Sequence, residues 1–573
     1  MQTKRGEHFN RPNTQYVAAT SQENPRDVTI TNEGDALRHL CREIADDFRI
    51  VAICLYGSRA GGYARPDSDF DVVLVLERFS EGVSFHRREI GQVYAAVLVV
   101  DRELFELDMK KGYLGEFICA RLLSPYIALE NSEFLKEMEI QAKKRIVQEE
   151  LRDLVIEYRG ISHGLIVDPT YFALSRLRKR ARHYPAVLHS YTNMLREDLR
   201  RGNLSSILGG YQTALQDLHE TGLIRFENGM VRLQERFIDK ILSRGSFERV
   251  VNVMETSRRS FRSYLAYGRS RIGGVELILD ELGSVLRKAP QNDLHEDKPE
   301  DPKNHLYLQT SAGMVNLNER SSVVDVALKL RPGAKVTITP LAGVLNDVYL
   351  VSVGQEQLVA KRYTDWVNLK WFTINLVTLG TKKFSVMGKS RLANEYGMNR
   401  ILSEEGIPVP EIVHVSIPHR MLLERYVEGE NVANLVKLAC SSDQLSAREY
   451  GLAIDVGKAM AKIHSAGVTI GDSKPENFLL SSDGKVYSLD LEQAAKKGDK
   501  AWDLSEFLFY SGHYSPLMTQ GLSQLVDGFI EGYLKTGEPN ALRRAAGISY
   551  IKAFSIWTAP PVIFGIADRL RKI

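Results

Sequence analysis

Cysteine is scarce: the 573-residue chain holds four, Cys41, Cys54, Cys119 and Cys440. No pair is spaced C-x-x-C, which argues against a zinc site. Nothing suggests a disulfide framework either, so a reducing cytoplasm is the expected compartment. Cys54, inside Ile53-Cys54-Leu55, reads as a small buried hydrophobe. Long apolar runs are also missing. The first residues, MQTKRGEHFNRPNTQYVAATSQ, have no apolar core, so neither a signal peptide nor an anchor is expected, and residues 1–33 read as a mobile tail. The stretch AFSIWTAPPVIFGIA is short of a membrane span and is interrupted by Pro560-Pro561; it reads as a buried helix pair, and no membrane partner is expected. Internal repeats are lacking, and the net charge is only +3. The apolar (44%) and charged (26%) fractions are those of a globular protein. A chain this long exceeds a single core and implies three or four domains.

An amphipathic helix is expected over 34–48, followed by a strand Arg49 to Tyr56. A Gly-rich turn leads to a second strand, Phe70 to Leu76, and a third runs from Val93 to Val100. From Arg102 to about residue 290 the pattern is mostly helical. The exception is LIRFENGMVRL, whose Asn228-Gly229 is a hairpin signal. The charged, proline-bearing segment 289–305 reads as a linker. After it KVTITPL, VYLVSVG and LVAKRY alternate as strands, and helices dominate from about residue 388.

The run GDSKPENFLL (471–480) puts an acid, a lysine and an amide in one polar loop, and VYSLDLE (486–492) ends a strand on an acid. Phosphoryl transfer needs a carboxylate near the attacking hydroxyl and oxygen ligands for magnesium. Asp472 can supply the first. Asn477 and Asp490 can supply the second, and Lys474 can offset charge on the transferred phosphate. The run resembles the protein-kinase catalytic loop, matching D-x-K-P-E-N at Asp472, Lys474, Pro475, Glu476 and Asn477. Ile463-His464 with Gly467 resembles the approach to that loop, and Val359-Ala360-Lys361 the strand of the ATP-anchoring lysine. Glu395 is placed to pair with Lys361. Leu345-Asn346-Asp347, after Pro340-Leu341-Ala342-Gly343, resembles a shortened phosphate-covering loop. Ile470-Gly471 replaces the usual His-Arg, Asp490-Leu491-Glu492 replaces Asp-Phe-Gly, and little room is left for a peptide-docking segment. These departures resemble the RIO kinases and the small kinase of the KEOPS complex, which acts in tRNA modification; aminoglycoside phosphotransferases share the layout. The resemblance covers about 336–535 and implies an ATP- and Mg2+-dependent kinase or ATPase, with Gly343, Asn346, Lys361 and Glu395 around the nucleotide.

A second signal is LYGSRAGGYARPDSDFDVVLVLE (55–77). Asp69 and Asp71, two apart at a strand start, point to one face and can hold magnesium for nucleotidyl transfer. Gly57-Ser58 forms a turn able to cradle a triphosphate, with Arg59 and Arg65 to assist. The pattern resembles the nucleotidyltransferase fold of DNA polymerase beta and the minimal archaeal and bacterial nucleotidyltransferases. That family places a third carboxylate on the next strand. Here VYAAVLVVD has Ala95 and Ala96 in its place, and Asp101 substitutes only if the register differs. The domain is therefore expected to bind a nucleoside triphosphate and to transfer nucleotide slowly or not at all.

Between 171 and 290 stand 21 Lys+Arg against 12 Asp+Glu, nearly all the basic residues being arginine. SRLRKRARH (175–183) and RRSFRSYLAYGRSR (258–271) are the densest clusters. Arginine with interleaved aromatics suits RNA, including tRNA, while a helical connector with a solvated basic face is the plainer reading. The fold class expected is multidomain α/β and α+β. A tail (1–33) precedes a nucleotidyltransferase fold with a mixed sheet (34–125). A basic helical region with a winged helix follows (126–288), then the linker and a two-lobed kinase-like fold (306–573). The function expected is that of an archaeal-type kinase or ATPase working near RNA or on a protein substrate. The alternatives are nucleotidyl transfer to RNA, protein or a small alcohol under a regulatory kinase-like domain, and a nucleotide-sensing RNA scaffold.

Overall fold

The computed structural model describes residues 26–183, 185–243, 300–341, 346–365 and 385–573. Gly343, the 258–271 cluster and most of the expected tail and linker lie outside the described residues. The chain divides into two units, one made of 1–139 with 261–283, the other of the remainder.

In the first unit the opening helix runs Arg26–Ala45, beginning eight residues before the expected tail ends. Leu37, Leu40, Cys41 and Ala45 are buried at the spacing of one helical face. They pack on a five-stranded sheet ordered β3-β4-β2-β1-β5. Its strands are β1 (Ile50–Tyr56), β2 (Phe70–Leu76), β3 (Val83–Ile90), β4 (Val93–Asp101) and β5 (Ile127–Glu130). The sheet is mixed, with β2 and β4 parallel and the other pairs antiparallel. Strand β3 was not foreseen: its run VSFHRREI is charged and partly exposed, because it forms the sheet edge. Phe70, Val72, Leu74, Ala95, Val97 and Val99 share the helix-covered face. Burying each large side chain contributes about 1.5–3 kcal/mol. Asp71 and Ala96, at the alternate positions, fall on the opposite face.

In the second unit, β6 (Leu165–Val167) precedes three helices, Thr170–His183, Pro185–Met194 and Glu197–Glu220. A hairpin follows, β7 (Ile224–Glu227) and β8 (Met230–Leu233). Its turn residues Asn228 and Gly229 have φ of 52° and 78°, the left-handed pair that a two-residue hairpin turn requires. The order is thus strand, three helices, hairpin. The sheet is completed by β9 (Leu306–Thr310) and β10 (Gly313–Asn316) in the order β10-β9-β6-β8-β7. That corrects the division expected at 306, since the strand after it pairs with β6 and belongs to the middle sheet. The end of the expected linker is likewise structured: Arg178 binds Asp301 at 2.7 Å, Glu300 accepts from Arg200, and Pro302–His305 forms a helical turn.

The kinase-like part has an upper antiparallel sheet of β11 (Val336–Leu341), β12 (Asp347–Val353), β13 (Glu356–Arg362), β14 (Ile412–Ser416) and β15 (Met421–Arg425), ordered β11-β12-β13-β15-β14. The Gly388–Glu404 helix accompanies it. The lower part is helical, built on Val432–Ser441, Ala447–Ser465, Lys500–Ser511 and Gln520–Tyr533. Phe507 and Phe529 stack at 4.6 Å in its core. The apolar C-terminal stretch forms two helices, Ile548–Phe554 and Pro560–Arg571, with Pro560 at a helix start, where its missing N–H costs nothing. It is less buried than expected: Ile556, Trp557 and Phe564 are exposed. Among the described residues no helix is long and apolar enough to cross a membrane.

Candidate functional site

The second unit gathers its acids and lysines around the junction of the upper sheet and the helical part. Lys361 on β13 lies 3.1 Å from Glu395 and 3.0 Å from Glu424, and its ammonium donates to the Leu489 carbonyl at 2.7 Å. Burial works against the charge of Lys361, but Glu395, Glu424 and Asp490 hold it above its ordinary pKa. Burial pushes the Glu395 and Glu424 carboxyls up, against the pull of Lys361. Three acids thus act on one buried lysine and keep it charged, while among the described residues no group of three or more acids, histidines or cysteines is close enough to hold a metal ion.

Helix Gly388–Glu404 carries Glu395. Glu395 also accepts from the Leu491 amide at 2.6 Å, which ties the helix to the Asp490 loop. One turn earlier, the fully buried Arg391 binds Glu492 at 3.0 Å and donates to the Asn346 side-chain oxygen at 2.7 Å. Asn346 in turn donates to Glu492 at 2.6 Å. Asn346 is therefore held by the helix and the acid loop, where the sequence placed it on phosphate. Burial, with Asp490 beside it, pushes the Glu492 carboxyl up to about 7 despite Arg391.

The Asp472 loop is held from below. Asp503 accepts from the Ile470 and Gly471 amides at 2.7 and 2.8 Å and lies 3.0 Å from His464 Nε2. Glu506 accepts from the Ser473 amide at 2.7 Å. Asp472 lies 2.9 Å from Lys474, whose ammonium Asp472 and Glu506 keep charged against burial. Asn477 donates through its side-chain nitrogen to the Asp472 carbonyl at 2.8 Å, which leaves its side-chain oxygen as an acceptor. The Asn477 carbonyl accepts from the Leu489 amide at 2.9 Å, so the loop and the segment that carries Asp490 are laced together.

Sequence reasoning missed Arg391, Glu424 and the latching role of Glu492. Arg391 lies one helical turn before Glu395, a signal that could have been read. Glu424, an acid at the end of the apolar run MLLE, was another.

In the first unit, Gly57 (φ 78°) sits against Asp71: a Cβ on it would lie 2.1 Å from the Asp71 carboxylate. That close approach explains a glycine at this turn. Ser58 lies in the short helical turn Gly57–Gly61. Arg59 does not point to a ligand; it donates to the Ser68 carbonyl at 2.7 Å and covers the Phe70 ring. Across the strands, Asp71 is opposite Ala96, and Ala96 is opposite Arg87. The Arg87 guanidinium lies 3.4 Å from Asp69. The register also disposes of Asp101, which pairs with Leu76 at the far strand end and caps the next helix, accepting from the Glu103 and Phe79 amides.

The basic cluster 175–183 is largely engaged within the chain. Arg176 pairs with Glu149, Arg178 with Asp301, and Lys179 with Glu150 and Asp153. These contacts weaken the expected nucleic-acid surface at this cluster.

Comparison with known proteins agrees with this division. Residues 37–154 match the nucleotidyltransferase domain, and residues 337–510 match the phosphotransferase enzyme family. KEOPS complex subunit Bud32 of Pyrococcus abyssi is 26% identical over 148 residues, 25% of this chain and 64% of that protein. A probable bifunctional tRNA threonylcarbamoyladenosine biosynthesis protein of Methanocaldococcus jannaschii is 26% identical over 155 residues, 25% of each chain. The chain thus spans less than two thirds of either relative. A solved complex of Rv3197 with erythromycin from Mycobacterium tuberculosis matches at 14% identity, covering 30% of this chain and 49% of that one; its TM-score of 0.21 carries no argument. The chain joins an N-terminal nucleotidyltransferase domain to a C-terminal kinase-like phosphotransferase domain.

Proposed function

We propose that this protein is an ATP-dependent kinase or ATPase whose phosphotransferase site lies in its second unit, and that its N-terminal domain binds a nucleoside triphosphate without efficient transfer. The observation that carries the first half is the Lys361–Glu395 pair at 3.1 Å, bonded in turn to Leu489 and Leu491 on either side of Asp490. In this reading Lys361 anchors the ATP phosphates and Glu395 orients it. Asp472 accepts the proton of the attacking hydroxyl, and Lys474 offsets charge on the phosphate. Asn477 and Asp490 would hold magnesium, whose charge would neutralise the phosphate oxygens. The Asp490 carboxylate and the Asn477 side-chain oxygen are oxygen donors of the kind such an ion takes. Asp69, Asp71, Gly57 and Ser58 form the N-terminal triphosphate site, and the Ala96–Arg87 pairing opposite Asp71 supports binding without transfer. An RNA or tRNA context is proposed from the names of the relatives, and a cytoplasmic setting from the scarcity and burial of the cysteines.

The test is incubation of the full chain with magnesium and ATP labelled at the gamma or the alpha phosphate. Gamma release or transfer, lost in Asp490→Ala with the fold retained, is the expected result. Alpha transfer that survives Asp490→Ala would make nucleotidyl transfer the main activity.

A further inference from the structure

Beside Asp472 an aromatic ledge runs out to the surface. Lys474, bound to Asp472 at 2.9 Å, holds its ammonium 5.8 Å from the Tyr510 ring. Tyr510 stacks on His513 at 5.5 Å and 23°, and His513 meets Tyr514 edge-on at 5.5 Å. His513 Nδ1 is 2.9 Å from the Trp557 carbonyl. A carbonyl only accepts, so Nδ1 carries the proton and the ring is fixed in place. Trp557 is 51% exposed, an unusual position for so large an apolar ring. Lys437, exposed on the Val432–Ser441 helix, lies 5.4 Å from the Tyr514 ring. The nearby acid is turned inward: Glu476 accepts from the Tyr514 hydroxyl, and its other carboxylate oxygen is buried.

We infer that this ledge binds single-stranded nucleic acid and delivers a terminal hydroxyl to Asp472. Aromatic faces alternating with lysines match successive bases and phosphates of a single strand, because every base has a stacking face. A duplex hides those faces, so it does not fit. The mixture also departs from what a basic peptide would need, since the ledge presents two lysines and hides its carboxylate. The inference rests on the kinase reading for its chemical step. In that step the terminal hydroxyl oxygen bonds to the gamma phosphorus of ATP as the bridging bond to the beta phosphate breaks. ADP leaves, and the hydroxyl proton passes to Asp472.

Binding and chemistry are tested separately on the full chain. Fluorescence anisotropy with a labelled mixed-sequence single-stranded RNA, its duplex and single-stranded DNA reads binding. His513→Ala with Trp557→Ala should weaken single-strand affinity about tenfold or more, the loss of one to two stacked bases. Lys437→Ala should lower the salt slope by about 0.7, the value of one phosphate contact on a single strand. Both variants change exposed side chains, and each should keep the parent's melting temperature and ATP affinity. Equal affinity of parent and variants, tighter binding of the duplex, or no binding at low salt would overturn the ledge. Loss of binding in a variant that also loses its fold is separated by Lys437→Glu, which should weaken binding without touching the core. If single strands bind through the ledge but gamma phosphate never reaches their ends, the kinase step fails and the binding site stands. Preference for DNA over RNA would leave the ledge in place and assign its partner.

Discussion

Ala96 contributes a single methyl group to a row that otherwise carries charge, between Asp71 on one side and Arg87 on the other. Side chains directly across strands lie about 5 Å apart, so an acid placed there meets both neighbours. Ala96→Asp alone should therefore pair with Arg87 and leave alpha-phosphate transfer near the parent level. Ala96→Asp combined with Arg87→Ala should raise it about tenfold or more, a change of roughly 1.4 kcal/mol in the barrier. A single-turnover assay with alpha-labelled ATP distinguishes the two. Ala95→Asp should instead destabilise the domain by several kcal/mol, since Ala95 lies in the apolar core and an isolated buried carboxylate costs about that much. Thermal denaturation reads this difference. Glu492 offers a second residue-scale outcome. Its native pKa is raised from 4.5 to about 7, so the folded state holds a proton that the unfolded chain gives up. That contribution is present at low pH and is lost as pH rises through about 7. The nucleotide-free protein should thus gain stability as pH falls from about 8 to 6, and Glu492→Gln should flatten that part of the profile. Parallel profiles for parent and variant would mean that Glu492 does not titrate there.

At the scale of elements, helix Gly388–Glu404 is the shared part. On one side it presents Glu395 to Lys361 and Arg391 to Glu492. On the other it lies against the turn at Arg159–Gly164 through glycines on both surfaces. A Cβ on Gly397 would stand 2.5 Å from the Gly160 carbonyl oxygen, and one on Gly160 would stand 2.4 Å from the Ala393 carbonyl oxygen. Tyr396 adds a hydrogen bond from its hydroxyl to the Gln309 carbonyl at 2.8 Å. The Arg159–Gly164 turn and the strand that carries Gln309 therefore set the position of the helix that pairs with Lys361. Gly397→Val should push the helix away, destabilise the unit by about 1–3 kcal/mol as overpacking does, and lower gamma-phosphate turnover more than ATP affinity. Turnover unchanged in a folded variant would show that the helix position is set elsewhere. The first helix of the chain has a simpler logic, with an apolar face on the sheet and no site residue.

For the molecule as a whole, the division of the chain differs from the one its composition suggests. A fragment beginning at 306 would lose β6, the strand that joins β9 to β8 and β7, and uncover the Gly397 surface. Such a fragment should be aggregated or unstable, while one beginning at 132 should fold and turn over ATP. Circular dichroism melts and the gamma-label assay on both decide it. Arg232, nearly buried, shows why: it pairs with Glu404 at the end of the shared helix and donates to the His163 carbonyl. Lys496 likewise reaches Glu235 and Asp239, both at 3.1 Å.

Which candidate residues stand together locally was legible in the sequence. Asp472, Lys474, Asn477 and Asp490 stand in short runs, where spacing along one loop or strand already limits where side chains can go. Gly57, Ser58, Asp69 and Asp71 were legible for the same reason, as was the Asn228-Gly229 hairpin. The tertiary structure decided what depends on pairing between distant segments. It set the register that makes Ala96, and not Ala95 or Asp101, the neighbour of Asp71. It brought Glu424 from a separate strand to Lys361, and it joined residues 306–316 to a sheet begun at residue 165. It also turned Arg176 and Lys179 toward acids of the Ser132–Tyr158 helix and Arg178 toward Asp301. A charge run looks the same in sequence whether it faces solvent or a partner helix, because the partner is chosen by packing across the chain and not by neighbours within it.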